Sequence, residues 1–200
     1  MQDREKPAMS TTTATDLPQR HRLTVEEYNR MGELGILHPE TRTELIDGEI
    51  IDVAPPGSLH AGTVNQLSSL LQIAVANRAV VVVQNPILLG RYSEPQPDCA
   101  LAKPRSDFYR SAHPQPDDLL LVVEVADSSL RFDRDVKSAL YARHAVPELW
   151  LIDVRGKRLT RYRDPVGGAY LRVDEPDVGM PIDVPVGANL RVELAPLFED

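Results

Sequence analysis

The sequence predicts one domain of the mixed α/β class, on three observations. Helical and strand patterns are interspersed along 200 residues, a length that buries a core without disulfide or metal staples. Leu119 to Val125 is apolar on both faces, the pattern of a strand in a sheet interior. Glycine- and proline-rich breaks, such as Pro55-Pro56-Gly57, separate the periodic segments. No repeat and no second core is visible. Residues 23–200 are therefore expected to form a single domain behind a flexible tail, residues 1–22, which has few apolar anchors.

Taken in order, Thr24 followed by Glu27 matches a capping box, so Val25 to about Leu34 should be a short helix ended by Gly35. Thr43 to Val53 alternates around Asp47-Gly48, a strong two-residue hairpin signal because both turn positions need positive φ. His60 to Asn77 carries Val64, Leu67, Leu70, Leu71, Ala74 and Val75 at helical spacing. Ala79 to Val83, Pro86 to Leu89 and Pro97 to Ala102 read as strands, and the run Leu119 to Val125 as a buried one. Asp133 to His144 looks helical, and Pro147 separates it from a strand, Glu148 to Asp153. Arg155-Gly156-Lys157 turns that strand into Arg158 to Arg163. Ala169 to Val173, Pro181 to Val184 and Leu190 to Leu194 suggest a C-terminal β meander.

Composition narrows function. The net charge is −8, with 22 basic and 30 acidic side chains, which argues against a protein that coats DNA by neutralising phosphates. The charge is uneven. Residues 131–163 carry 9 basic and 4 acidic side chains, whereas residues 164–200 carry 2 and 8. A local basic groove therefore remains open, against the alternative of an ordinary solvated face. No run approaches the ~20 apolar residues of a membrane helix, so no membrane partner is expected. A single cysteine, Cys99, and the absence of an apolar leader among the first 22 residues point to a reducing, cytoplasmic setting.

Two acids could carry chemistry. Asp98 opens one strand and Glu124 nearly closes another, 26 residues later, each among apolar neighbours. Two carboxylates meeting at strand ends make a hard-oxygen site suited to Mg²⁺, with Mn²⁺ as a substitute, rather than to zinc. The backbone carbonyl of Val125 would add a further oxygen. Without a cation the like charges should raise one pKa. The competing assignment is a pair of structural ion pairs, which would need cationic partners. Cys99 alternates away from Asp98 and reads as a small core residue. Ser128 and Ser129 lack the Gly-x-Ser-x-Gly setting of a serine hydrolase.

Pro97-Asp98 followed by Glu124-Val125-Ala126 resembles the PD-(D/E)XK nuclease signature, with Ala126 in the slot of the terminal lysine. The match is closer to one branch, the Uma-two family of restriction-endonuclease domains. Its landmarks are similar to Glu44-Leu45-Ile46-Asp47-Gly48-Glu49, residues 55–60, Glu94-Pro95-Gln96-Pro97-Asp98, Glu124-Val125 with Asp127 and Ser128, Asp133-Arg134 with Lys137 and Tyr141, and Pro147-Glu148-Leu149-Trp150. These landmarks cover roughly residues 23–165 in the family's order.

The resemblance implies a restriction-endonuclease-like core, a mixed central β-sheet flanked by helices, and a metal-dependent phosphodiesterase site. It implies that Asp98 and Glu124 hold the metal and that a lysine positions the attacking water. Lys137, on the following helix, is the nearest lysine to take the place left by Ala126; an exposed lysine paired with Asp133 is the alternative. Glu44 is a candidate acid or extra ligand, or else a cross-strand surface partner. His60 is a candidate phosphate contact or proton relay, or else a surface residue. Arg155, Lys157, Arg158, Arg161 and Arg163 are placed for phosphate-backbone contacts rather than base reading. The expected activity is Mg²⁺-dependent endonucleolytic hydrolysis of nucleic acid, DNA first. The alternative is an inactive nuclease fold that binds DNA or protein. A homodimer is a candidate assembly.

Overall fold

The computed structural model describes residues 19–38 and 40–199. Most of the expected tail lies outside the described residues, and its last residue, Arg22, is tied down. Its guanidinium donates to the Asp47 carbonyl at 2.8 Å and stacks over Tyr92.

Helix α1 (Val25–Glu33) begins with the expected capping box: Thr24 Oγ1 accepts from Glu27 N–H, and Thr24 N–H donates to Glu27 Oε2. The hairpin follows as β1 (Thr43–Ile46) and β2 (Glu49–Asp52), with Asp47 at φ 53° and Gly48 at φ 84°. Both values are those a two-residue turn of the primed type requires. A Cβ on Gly48 would lie 2.6 Å from Arg22 Cβ, whereas one on Gly167, also at positive φ, would meet nothing within 4 Å. Gly167→Ala should therefore cost about 1–2 kcal/mol, the left-handed penalty alone. Gly48→Ala should cost measurably more in urea denaturation, and equal costs would refute the crowding argument.

Helix α2 (Ser58–Val75) is followed by β3 (Val80–Val83), β4 (Cys99–Ala102) and β5 (Leu119–Ala126). A helix over residues 130–143, α3, crosses to β6 (Glu148–Asp153), and β7 (Arg158–Val166) and β8 (Ala169–Asp174) complete the sheet. The six strands lie in the order β3-β4-β5-β6-β7-β8, and only the β5–β6 pair is parallel. A parallel neighbour requires a crossover, which α3 supplies.

Two stretches differ from expectation. Pro86 to Leu89 forms no strand. Ile87 and Leu89 are buried, but their N–H groups reach Pro95 and Ser93 within one loop while Leu88 N–H reaches Pro114, so no ladder continues. The last two segments do not extend the sheet either. They shrink to β9 (Ile182–Asp183) and β10 (Arg191–Val192), paired only with each other.

The sheet is covered on both faces. Val64, Leu67, Leu71 and Val75 of α2 pack on Cys99, Leu121, Val123, Val125 and Trp150, together with the C-terminal segment. Leu140 and Tyr141 of α3 and Ile46 of the hairpin pack on Ala100, Val122 and Leu149 of the other face. Burial on both faces accounts for the continuous apolar pattern of β5. Among the described residues no helix is long and apolar enough to cross a membrane.

Candidate active site

The period of two sorts the strand residues. Cys99, Val123 and Val125 face α2, so Asp98 and Glu124 belong to the side of α3 and the hairpin. There a cavity of about 330 Å³ is lined by Glu44, His60, Asp98, Glu124, Asp133 and Lys137, among others. Glu44 comes from β1, His60 from the first turn of α2 and Glu124 from the end of β5. Asp133 and Lys137 bound a π-helical turn within α3, where Ser138 N–H reaches back to the Asp133 carbonyl. Such widened turns are rare and concentrate at functional sites.

Lys137 is the centre of the arrangement. Its ammonium donates to Glu44 Oε1 at 3.1 Å and to Glu124 Oε1 at 3.2 Å, and all three side chains are buried. It is thus neither exposed nor paired primarily with Asp133, the alternative its helical spacing allowed. Burial alone would lower its pKa, but the charges of Glu124, Glu44 and Asp133 outweigh burial and hold it above the ordinary lysine value. Glu124 Oε1 also accepts from the Tyr141 hydroxyl. Burial pushes the Glu124 carboxyl well up, against the pull of Lys137. Both contacts to its Oε1 are donors. Asp133 is raised by burial as well, and Ser129 Oγ donates to it.

Asp98 is held separately. Val125 N–H donates to its Oδ2 at 2.8 Å, Gln84 Nε2 donates to its Oδ1 at 3.2 Å, and His60 Nε2 lies 3.1 Å from Oδ2. The bond to Asp98 raises the His60 pKa, against burial. His60 and Glu44 are therefore not surface residues. Val125 meets the site through its N–H.

The donor set fits a hard cation. Glu44, Asp98, Glu124 and Asp133 surround one ammonium and one imidazole, and Glu44 Oε2 is buried with no hydrogen-bond partner. Among the described residues no three His, Cys, Asp or Glu side chains form a metal cage. A cation here would take few protein ligands and several waters, the habit of Mg²⁺. Asp98 and Glu124 would be its carboxylate ligands.

Four arginines of the basic block carry ion pairs. Arg155 pairs with Asp127, Arg158 with Asp153, and Arg161 and Arg163 with Asp174. Asp153 belongs to the block itself, whereas Asp127 and the shared Asp174 lie outside it and offset part of its local excess. Two side chains without an assigned role in the sequence also enter: Gln84 on Asp98, and the landmark Tyr141 on Glu124. The signal for Tyr141 was its spacing of four from Lys137, which places both on one face of α3.

Cys99 borders Asp98 yet is fully buried on the opposite face, and burial with the nearby Asp98 and Glu124 charges pushes its thiol up to about 12. Iodoacetamide at neutral pH should leave the native protein unlabelled and modify this one cysteine after unfolding in guanidinium. Rapid native labelling would show that the core opens there.

Among curated proteins none matches this chain. Among solved structures, the crystal structure of a "putative nuclease belonging to DUF820" from Anabaena variabilis is similar, with a TM-score of 0.65 and 19% identity over 88% of this chain and 97% of that one. That likeness concerns the fold. The family model described as "Putative restriction endonuclease" matches residues 25–194, nearly the whole of the described structure and every residue lining the cavity. The chain belongs to that family, Uma2.

Proposed function

We propose that the protein is a Mg²⁺-dependent endonuclease of the cytoplasm that hydrolyses phosphodiester bonds in nucleic acid, DNA first. The observation that carries this reading is the buried Lys137 ammonium, set between Glu44 and Glu124 in the cavity that Asp98 also lines. Asp98 and Glu124 would hold the cation, and the Val125 carbonyl, on the same strand edge as its N–H, would add an oxygen. Bound Mg²⁺ supplies a Lewis acid at the phosphodiester and lowers the pKa of water.

The chain's own residues do the rest. Gln84 and the Val125 N–H fix the Asp98 carboxylate, leaving His60 in contact with it at the cavity wall. Tyr141 orients Glu124 from behind. Lys137 places fixed positive charge where negative charge develops around phosphorus, and burial makes that charge effective because little water screens it. Ala126, buried one alternate position beyond Glu124, leaves room for an amine arriving from α3.

Supercoiled plasmid incubated with Mg²⁺ or Mn²⁺ tests the proposal. The wild type should nick it, and Asp98→Asn should lose about 10²–10³-fold or more, the scale set by losing one stabilising group at a reacting centre. Calorimetry should show divalent binding that Asp98→Asn abolishes. An inert wild type, or full activity in Asp98→Asn, would end the hydrolase reading. Metal-insensitive DNA binding by an inert wild type would favour the noncatalytic module.

A further inference from the structure

A second cavity, about 430 Å³, adjoins the first. The two share Arg42 and Gln96, which therefore stand at their junction. Arg42 precedes β1 and Gln96 lies two residues before Asp98. Both side chains are half-buried, and among the described residues neither makes a side-chain hydrogen bond or an ion pair.

The exposed Arg78, Lys103 and Arg110 also lack an acidic partner, but among the described residues the other cations that are not exposed, Arg105 included, are matched. Lys137 is held by two acids, and Arg155, Arg158, Arg161 and Arg163 each by one. A half-buried guanidinium left without a carboxylate, beside an amide left without a partner, is a donor pair awaiting acceptor oxygens. Phosphate suits the planar fork of arginine. Both cavities carry acidic side chains, and those of the second lie beyond the junction. The second cavity holds Glu33 and Glu94, and Asn29 Nδ2 donates to Glu94 at 3.1 Å. Buried Glu94 repels a phosphate but accepts from an exocyclic amine or ring N–H. Tyr28 and His38 add ring surface to its wall.

We infer that the second cavity is a subsite for the unpaired nucleotide next to the scissile phosphate, with Arg42 and Gln96 gripping the phosphate between the two. The inference rests on the hydrolase reading for which phosphate is scissile, and it names the substrate as a strand with an exposed base. A paired base cannot present its Watson–Crick edge to a pocket, so duplex must open locally before it enters. Single strands are bound in this manner, by a cationic grip on the backbone with bases lodged in pockets.

The test is binding of a fluorescein-labelled twelve-nucleotide DNA strand of mixed sequence, read by polarisation at low salt in EDTA, where no cleavage occurs. The same sequence as a blunt duplex hairpin is the comparison. The wild type should bind the strand more tightly than the hairpin. Arg42→Ala should weaken strand binding about 10- to 100-fold, the range for a charged hydrogen-bonding group, and Arg42→Lys should recover part of it. The slope of log affinity against log salt should fall by about one in Arg42→Ala, which a general loosening of the fold would not produce. Unchanged affinity in Arg42→Ala, or hairpin bound as tightly as strand, overturns the subsite. The two readings fail separately: an inert wild type with Arg42-dependent strand binding sinks the hydrolase and keeps the subsite, whereas plasmid nicking with Arg42-independent binding does the reverse.

Discussion

Replacing Lys137 by methionine should destabilise the protein by about 3–5 kcal/mol and abolish nicking, because it leaves two buried carboxylates facing each other without a cation. The ammonium touches Glu44 and Glu124 at 3.1 and 3.2 Å, and all three side chains are at most 7% exposed. Its folded pKa lies above that of an unfolded lysine. The contribution is therefore complete at neutral pH and is lost only as pH rises past the ordinary lysine value toward the folded one. Urea denaturation at pH 7 checks the first part, and repetition at increasing alkaline pH should show wild type and variant converging.

The double variant Glu44→Gln/Lys137→Met separates structure from chemistry. Removing one of the stranded charges should recover stability, with a coupling of about 0.5–3 kcal/mol between the positions. Nicking should stay absent. A double variant that regained nicking would show that Lys137 serves packing only, and a Lys137→Met protein as stable as wild type would deny the buried ion cluster itself.

Trp150→Ala should cost a similar amount, about 3–5 kcal/mol, for a different reason. Trp150 is fully buried on the α2 face of β6, between the parallel neighbour β5 and the antiparallel β7. Its indole N–H donates to Glu148 Oε1 at 2.6 Å. Truncation opens a cavity under α2 and strands an acceptor whose carboxyl burial already raises. Trp150→Phe keeps most of the apolar volume and loses the donor, so it should cost only about 1–3 kcal/mol, the penalty of an unmet buried group. Equal costs for the two variants would mean that the hydrogen bond, not the volume, holds the site.

Local rules made much of this protein legible. The capping box at Thr24 and the positive-φ turn at Asp47-Gly48 are contained within four residues each, so sequence neighbours decide them. The apolar run of β5 declared its burial, and period two turned Cys99 away from Asp98, while the register of Cys99 opposite Val123 brought Asp98 and Glu124 to one face. Pro86 to Leu89 misled because an apolar, β-prone run becomes a strand only if a neighbour offers a ladder, and here a loop consumed its N–H groups. The last two C-terminal pieces did find a ladder, but only two residues long and with each other.

What lies beyond local rules is which charge meets which. Lys137 finds Glu44 across 93 residues and Arg143 finds Asp47 across 96, because the hairpin is laid on α3 once both pack on the sheet. Charge counting along the chain therefore missed that part of the basic block is offset by acids outside it, and overlooked Arg42, which is half-buried with no acid beside it among the described residues. Composition and periodicity by themselves pointed to an α/β domain with an acid at each of two strand ends, and the register of β4 on β5 put both on one face. Only packing decided the neutralising partner of each charge, since Coulomb attraction depends on distance in space and not on separation along the chain.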